Sequence, residues 1–155
     1  MTTKRLLAAS VLVGVFSGMT LAQATNPLVG IWKLNVEKSK APFKSGSTTI
    51  EPAGDNGIKF TVDLVATDGT KSHWGFTADY DGADSPITGS SPYGDTVALK
   101  RVDARTLVIT AKSKGKVTTT HTIVVSPDGK TRTTTAKGAD TKGQPVDSVS
   151  FYEKQ

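Results

Sequence analysis

From residue 58 onwards, apolar and polar residues alternate in short runs, and each run ends in a turn sequence. In the first run Ile58, Phe60 and Val62 alternate with polar residues. A period of two is typical of a β-strand that buries one face. Asp68-Gly69 follows this run, and such a pair favours a two-residue hairpin because both positions tolerate positive φ. The pattern therefore predicts antiparallel strands joined by tight turns.

The same pattern continues to the end of the chain. Further alternating or β-branched runs cover residues 74–80, 97–99, 107–111, 117–125, 131–137 and 146–153. The sequences between them are rich in turn formers, including Asp81-Gly82, Lys114-Gly115 and Pro127-Asp128-Gly129. With residues 30–36 and 48–51 at the front, the sequence predicts nine or ten short strands.

Helical periodicity is almost absent after residue 24, which indicates an all-β fold. A long meander of this kind favours a single antiparallel up-and-down β-barrel of about 8–10 strands, or a sandwich. We expect the barrel, because closure removes the unpaired edges of a meander. Residues 38–47, which include Pro42 and Gly46, are expected to form a loop within one domain.

The N-terminus has the features of a secretory signal peptide. Lys4 and Arg5 precede an uncharged apolar stretch over residues 6–19, and Ala22-Gln23-Ala24 offers a small-x-small cleavage site. A membrane anchor is the alternative, but a span needs about 20 apolar residues. We therefore expect cleavage after Ala24, a domain over residues 25–155 without a membrane span, and a periplasmic or secreted location.

Composition narrows the classes of function. The chain has no cysteine, so neither disulfides nor thiolate metal sites are available. Two of its 19 basic residues lie in the predicted signal peptide, which leaves 17 against 14 acidic residues. This small excess is spread along the chain, and no basic tract indicates nucleic-acid binding. A monomer is expected.

Two short segments resemble the calycins, that is, lipocalins and fatty-acid-binding proteins. Leu28-Val29-Gly30-Ile31-Trp32-Lys33-Leu34 is similar to their first strand, in which G-x-W places a tryptophan at the closed end. Ser150-Phe151-Tyr152-Glu153-Lys154 is similar to the terminal strand of the fatty-acid-binding branch. With both segments, the chain resembles a group of lipocalin-like secreted bacterial proteins. The resemblance implies that Gly30 and Trp32 close a ligand-binding barrel.

The chain also departs from the fatty-acid-binding pattern in two places. That branch has two short helices between its first two strands, and residues 38–47 are too few for such a lid. Its terminal strand holds the ligand carboxylate with R-x-Y. Alignment on Tyr152 puts Ser150 at the arginine position, and a serine lacks the charged fork that fixes a carboxylate. Tyr152 keeps one hydrogen-bond donor.

No feature of the sequence requires an enzyme. His73 and His121 are the available imidazole bases, and neither lies in a recognised catalytic motif. Asp79, Asp81 and Asp84 are expected to be turn residues, with a weak cation site as the alternative. We therefore expect neither a metal nor a cofactor.

If the barrel forms, strand alternation points certain side chains into it. The inward faces carry the aromatic residues Trp74, Phe76 and Tyr80, and later Val117, Thr119 and His121. Buried Thr119 and His121 would need each other, a water molecule or a ligand as partner. A hydrogen-bonded core histidine is one interpretation, and a ligand-orienting pair is the other.

The three arginines after the signal peptide, Arg101, Arg105 and Arg132, are expected to lie in solvent. An inward Arg132 would instead provide an anion anchor in place of the family's arginine. The sequence leaves the inward face of residues 131–137 open, because a one-residue slip exchanges the two faces.

Two functions remain as hypotheses. The first is a binding protein for a small apolar or amphipathic molecule. The second is a barrel filled by its own side chains, which acts in the cell envelope through its surface. An interior volume below roughly 100 Å³ favours the second, because pockets for drug-sized ligands reach about 300 Å³ or more.

Overall fold

The computed structural model describes residues 25–155, and the predicted signal peptide with its cleavage site after Ala24 lies outside the described residues. These residues form eleven β-strands and no helix. Nine strands are long and two, β5 and β6, have two residues each. The strands are β1 Gly30–Lys40, β2 Phe43–Ala53, β3 Gly57–Ala66, β4 Lys71–Asp79, β5 Ser85–Pro86, β6 Thr88–Gly89, β7 Thr96–Arg101, β8 Thr106–Ser113, β9 Lys116–Val125, β10 Thr131–Ala139 and β11 Pro145–Lys154.

All pairs of neighbouring strands are antiparallel, and together they form one nearly closed barrel. The sheet order is β5-β7-β8-β9-β10-β11-β1-β2-β3-β4-β6, so that β11 returns to pair with β1. Short pairings close most of the remaining gap, through β6 on β4, β5 on β7 and a bridge between Asp81 and Lys100. The predicted all-β barrel without a helical lid is confirmed. No helix capable of crossing a bilayer occurs within residues 25–155.

The turn residues lie between strands as predicted, but Asp68-Gly69 does not form the expected two-residue hairpin, because Asp68 lacks a positive φ and the turn runs from Ala66 to Gly69. In the β3–β4 hairpin the Gly69 amide donates to the Ala66 carbonyl at 3.0 Å, and Gly69 has a φ of 91°. In the β8–β9 hairpin Lys114 and Gly115 both have positive φ, 51° and 77°. Lys114 is the one non-glycine residue with positive φ in the described part of the chain. These turns set the register of the meander.

The expectation of a loop over residues 38–47 was wrong. Strand β1 continues to Lys40 and β2 begins at Phe43, so only Ala41 and Pro42 lie between them. Gly46 pairs with Leu64 inside the β2–β3 ladder, and a Cβ at Gly46 would clash with the Leu64 side chain. The glycine thus permits close packing in a strand, and the proline occupies a tight turn.

The strand faces mostly follow the predicted alternation. Trp74, Phe76 and Ala78 are buried, as are Ile123 and Val125. Val117 differs, since its side chain is 61% exposed. The β8–β9 register shifts between Ala111, which faces Thr119, and Lys112, which faces Val117. This bulge ends the simple alternation before it reaches Val117.

One end of the barrel is closed by its own residues. Leu28 and Trp32 are fully buried, and the Trp32 indole Nε1 donates to the Leu28 carbonyl at 2.9 Å. The Lys154 ammonium lies 5.0 Å from the centre of the Trp32 ring and 3.3 Å from the Pro27 carbonyl oxygen. Trp32 is thus a fully buried residue held by hydrogen-bonded and cationic neighbours at this end.

Candidate functional site

The barrel encloses a small cavity, of about 60 Å³, with two unlike walls. The polar wall comes from β10, β11 and β2, and its residues are Thr48, Arg132, Thr134, Ser148, Ser150 and Tyr152. The apolar wall comes mainly from β3, β4, β7 and β8, and its residues include Phe60, Val62, Leu64, Trp74, Val97 and Ile109. We call this space the interior cavity. Its walls suit a molecule that is polar on one side and apolar on the other.

Strand β10 turns its even-numbered residues inward. Arg132 and Ala136 are buried and Thr134 lines the interior cavity, while Thr131 and Lys137 are exposed. Of the two faces that the sequence left open, the one with Arg132 faces the interior. The expectation that all three arginines lie in solvent was therefore wrong for Arg132.

The Arg132 guanidinium is surrounded by aromatic rings and has no acidic partner. Its Cζ lies 4.2 Å from the Tyr152 ring centre, 5.3 Å from that of Trp32 and 5.8 Å from that of Phe60. None of the ion pairs within residues 25–155 includes Arg132. The ring faces offset part of the cost of burying the charge.

Arg132 nevertheless stays charged at neutral pH. Burial lowers the pKa of its guanidinium to about 10, and the neighbouring Tyr152 opposes this shift. A buried charge without a counter-ion costs several kcal/mol, on the order of the penalties known for such groups. The interior cavity therefore holds a cation that an incoming anion would stabilise.

Arg132 lies close to the tyrosine of the terminal strand. Arg132 and Tyr152 are direct partners in the β10–β11 ladder, whereas Ser150 pairs with Thr134. In the fatty-acid-binding proteins that the chain resembles, the arginine occupies the position of Ser150 in β11. Here the arginine is on the neighbouring strand, and its side chain still lies beside the tyrosine ring. Sequence alignment along one strand could not show this, because the pairing depends on register.

Of the three partners that the sequence left open for Thr119 and His121, the structure shows the contact with each other. The Thr119 hydroxyl and His121 Nε2 are 2.9 Å apart, Thr119 is fully buried, and His121 lines the interior cavity. Burial among apolar neighbours lowers the pKa of His121 to about 4, so the ring is neutral at pH 7. The pair adds an uncharged polar group to the cavity.

Tyr93 also belongs to the cavity wall, and the sequence analysis missed it. Its ring packs edge-on against Trp74 and His121, with ring centres 6.0 and 4.6 Å away. Burial raises the pKa of its hydroxyl to about 12, so the phenol stays protonated. Tyr93 lies in the irregular segment between β6 and β7, where no alternation indicates which side chain points inward.

The three aromatic residues predicted to line the site have different positions. Trp74 lines the interior cavity. Phe76 is buried beside it, with its ring stacked 5.1 Å from that of Phe60, and does not belong to the cavity lining. Tyr80 lies at the closed end, where its hydroxyl is 3.3 Å from the Asn26 amide nitrogen and its ring lies 5.2 Å from the Arg101 Cζ.

The unpartnered polar atoms of the core are concentrated in this one place. Within residues 25–155, four buried side-chain atoms lack a hydrogen-bond partner in the protein: Trp74 Nε1, Arg132 Nε and Nη1, and Thr134 Oγ1. All three residues line the interior cavity. Buried polar groups are almost always paired, and an unpaired one costs about 1–3 kcal/mol. Three of the four atoms can only donate, so the cavity favours a hydrogen-bond acceptor.

The turn acids show no arrangement for a cation. Asp84 pairs with Lys112 at 2.7 Å, and Asp81 accepts the Ala83 amide at 2.9 Å. Across the described part of the chain, no three His, Asp or Glu residues come together as a metal site would require. His73 contacts Asp63 at 2.6 Å on the exposed outer surface, away from the cavity lining.

Comparison with known proteins adds no family to this description. No protein-family model matches the chain, and no curated protein matches its sequence.

Proposed function

We propose that the protein is an exported, lipocalin-like binding protein that takes a small amphipathic anion into its barrel. The observation that carries the proposal is Arg132, a fully buried guanidinium with two unpartnered nitrogen atoms at the wall of a cavity. An anion at this position would replace the missing counter-ion through charge-assisted hydrogen bonds. The proposed export rests on the signal-peptide features of residues 1–24.

The cavity volume indicates a short ligand. A water molecule needs about 10–15 Å³ of such space, so 60 Å³ corresponds to about four to six non-hydrogen atoms. A carboxylate with a short apolar chain matches this size, with its carboxylate at Arg132 and its chain against Phe60 and Val62. A long-chain fatty acid does not match it.

Binding without catalysis is the activity that these groups support. The one imidazole in the cavity wall, His121, has Thr119 as its hydrogen-bond partner. A hydrolytic mechanism would need an activated nucleophile and donors aimed at a developing oxyanion. The interior cavity instead offers a fixed cation and an apolar wall, which are the elements of recognition.

The experiment is a titration of the purified protein with straight-chain carboxylates from acetate to octanoate, followed by calorimetry. We expect the tightest binding at about two to four carbon atoms and a steep loss at greater lengths. Arg132→Met should weaken binding by about 10- to 100-fold, in keeping with a lost hydrogen bond to a charged group. Arg105→Met is the control, because Arg105 is exposed and its removal takes away the same charge.

The filled barrel is the second candidate, and the small cavity favours it. A volume of 60 Å³ lies below the roughly 100 Å³ under which we expect a filled barrel, since pockets for drug-sized ligands reach about 300 Å³ or more. The exposed apolar residues Ile31 and Val36 line an open groove on the outside of β1, which a surface partner could contact. If none of the carboxylates binds and the protein carries no extractable small molecule in native mass spectrometry, this second function replaces the first.

A further inference from the structure

The two tryptophans of the chain differ in whether the indole Nε1 has a hydrogen-bond partner. Both are buried, at 0% and 7% exposure for Trp32 and Trp74. The Trp32 Nε1 donates to the Leu28 carbonyl, whereas the Trp74 Nε1 has no partner in the protein. An indole nitrogen can donate but not accept, so Trp74 lacks the only hydrogen bond that its side chain can make. Trp74 also lines the interior cavity.

Trp74 and Arg132 lie on different walls. Trp74 belongs to β4 and Arg132 to β10, and five steps along the sheet separate these strands. Arg132 lies among Trp32, Phe60 and Tyr152, and Trp74 lies against Phe76 and Tyr93. Since they have no aromatic neighbour in common, the unpartnered donors of Trp74 and Arg132 occupy separate places around one cavity.

We infer that the ligand carries a second, uncharged acceptor oxygen, and that the Trp74 Nε1 is the group that binds it. This inference rests on the proposed function, since Arg132 holds the anionic end. An uncharged oxygen suits Trp74 because the other polar groups at its end of the cavity, Tyr93 and His121, are both neutral at pH 7. A second anionic group there would find no cation.

The ligand class that follows is a short oxo acid, a carboxylate with a ketone in its chain. The ketone oxygen accepts without donating, which matches a donor that cannot accept. A simple fatty acid of the same length would leave the Trp74 Nε1 unpartnered, and its binding would be weaker for that reason.

The test compares three pairs of acids of equal chain length by calorimetry: pyruvate with propionate, acetoacetate with butyrate, and, as a size control that exceeds the cavity and should bind weakly, levulinate with valerate. In the unmodified protein, we expect the oxo acid of at least one pair to bind about 3- to 10-fold tighter, as one neutral hydrogen bond allows. In Trp74→Phe this ratio should fall to about 1, because neither acid of a pair then meets the indole donor. Phenylalanine keeps an aromatic ring of smaller size, and since both acids of a pair meet the same smaller ring, the ratio of their affinities reports the loss of the donor.

A second measurement uses the two tryptophans as signal and control. The indole N–H resonances of Trp32 and Trp74 are observed in a ¹⁵N–¹H spectrum during titration with the preferred oxo acid. The Trp74 resonance should move to lower field with saturation, and the Trp32 resonance, whose donor is already bonded, should stay. A Trp74 resonance that shifts equally with the plain acid contradicts the inference.

The possible results separate the two proposals. Equal affinities within every pair, or an oxo-acid preference that survives in Trp74→Phe, would overturn the role of Trp74 alone. Binding of all six acids that is unaffected by Arg132→Met would overturn the anion site, and binding of none would overturn both. Urea unfolding of Trp74→Phe verifies that the variant is folded before its affinities are compared.

Discussion

The closed end of the barrel and its interior differ in whether their buried donors have hydrogen-bond partners. At the closed end Trp32 donates to Leu28 and packs under Lys154. In the interior cavity Trp74 and Arg132 are as deeply buried, and their donors remain unpartnered. The closed end thus contributes to stability, while the interior retains groups that cost stability. Such an uneven distribution is typical of a site kept for a ligand.

The largest expected change in the free energy of unfolding comes from Arg132→Met. A buried, unpaired cation opposes folding, so its replacement by an apolar side chain of similar length should raise the free energy of unfolding by about 1–4 kcal/mol. Urea denaturation at pH 7 measures this change. Arg105→Met, an exposed control, should stay within about 0.5 kcal/mol of the unmodified protein. A large loss of stability in Arg132→Met would mean that the aromatic rings around Arg132 stabilise its charge fully.

The next effect concerns pH and His121. Its pKa is about 4 in the folded protein against 6.5 for an ordinary histidine, so the unfolded chain binds the proton more readily. The free energy of unfolding should therefore be highest above pH 6.5 and fall by about 2–3 kcal/mol as the pH drops towards 4.

The measurement is a series of urea unfolding curves between pH 7 and pH 4.5. Carboxyl groups with lowered pKa values, those of Asp68, Asp103, Asp128 and Glu153, act mainly below this range. His121→Leu should remove most of the slope. A gain in stability with unchanged carboxylate binding would identify His121 as a core residue without a role in the site.

The two tryptophans provide the most direct comparison. Trp32→Phe leaves the Leu28 carbonyl without its donor in a fully buried place, and should cost about 1–3 kcal/mol. Trp74→Phe loses the same ring volume but a donor that has no partner, so it should cost less than Trp32→Phe. Urea unfolding of both variants measures the difference. Equal losses would show that the hydrogen bond of Trp32 contributes little and that lost packing accounts for both changes.

The smallest effect is expected at Thr134. Its hydroxyl is buried without a partner, so Thr134→Val should change the free energy of unfolding by less than about 1 kcal/mol, towards greater stability. Thr119→Val is the matched control, because the Thr119 hydroxyl contacts His121 and its loss should destabilise the protein. Thermal unfolding at pH 7 ranks the two variants. Destabilisation by Thr134→Val would indicate that its hydroxyl already has a partner.

Much of the site was within reach of the sequence. Strand alternation placed Trp74, Thr119 and His121 on inward faces, and the G-x-W segment placed Trp32 at one end. Tyr93 was out of reach, because it lies in the irregular segment between β6 and β7. Tyr80 was expected in the cavity because it continues the alternation of Trp74 and Phe76. It lies just beyond the end of β4, however, and contacts Asn26 and Arg101.

By itself, the sequence determined the architecture, because alternation and turn residues are local properties. Asp68-Gly69 forms a turn whatever the flanking strands pair with, and the apolar faces of the strands must be buried. The inward face of β10 was decided by tertiary structure. Strand β10 has Arg132 among threonines and no apolar face of its own. Its orientation therefore depends on the pairing of Arg132 with Val125 and Tyr152, which places the Arg132 side chain inside the barrel. The size of the cavity has the same origin, because it depends on how side chains from eight strands meet in three dimensions.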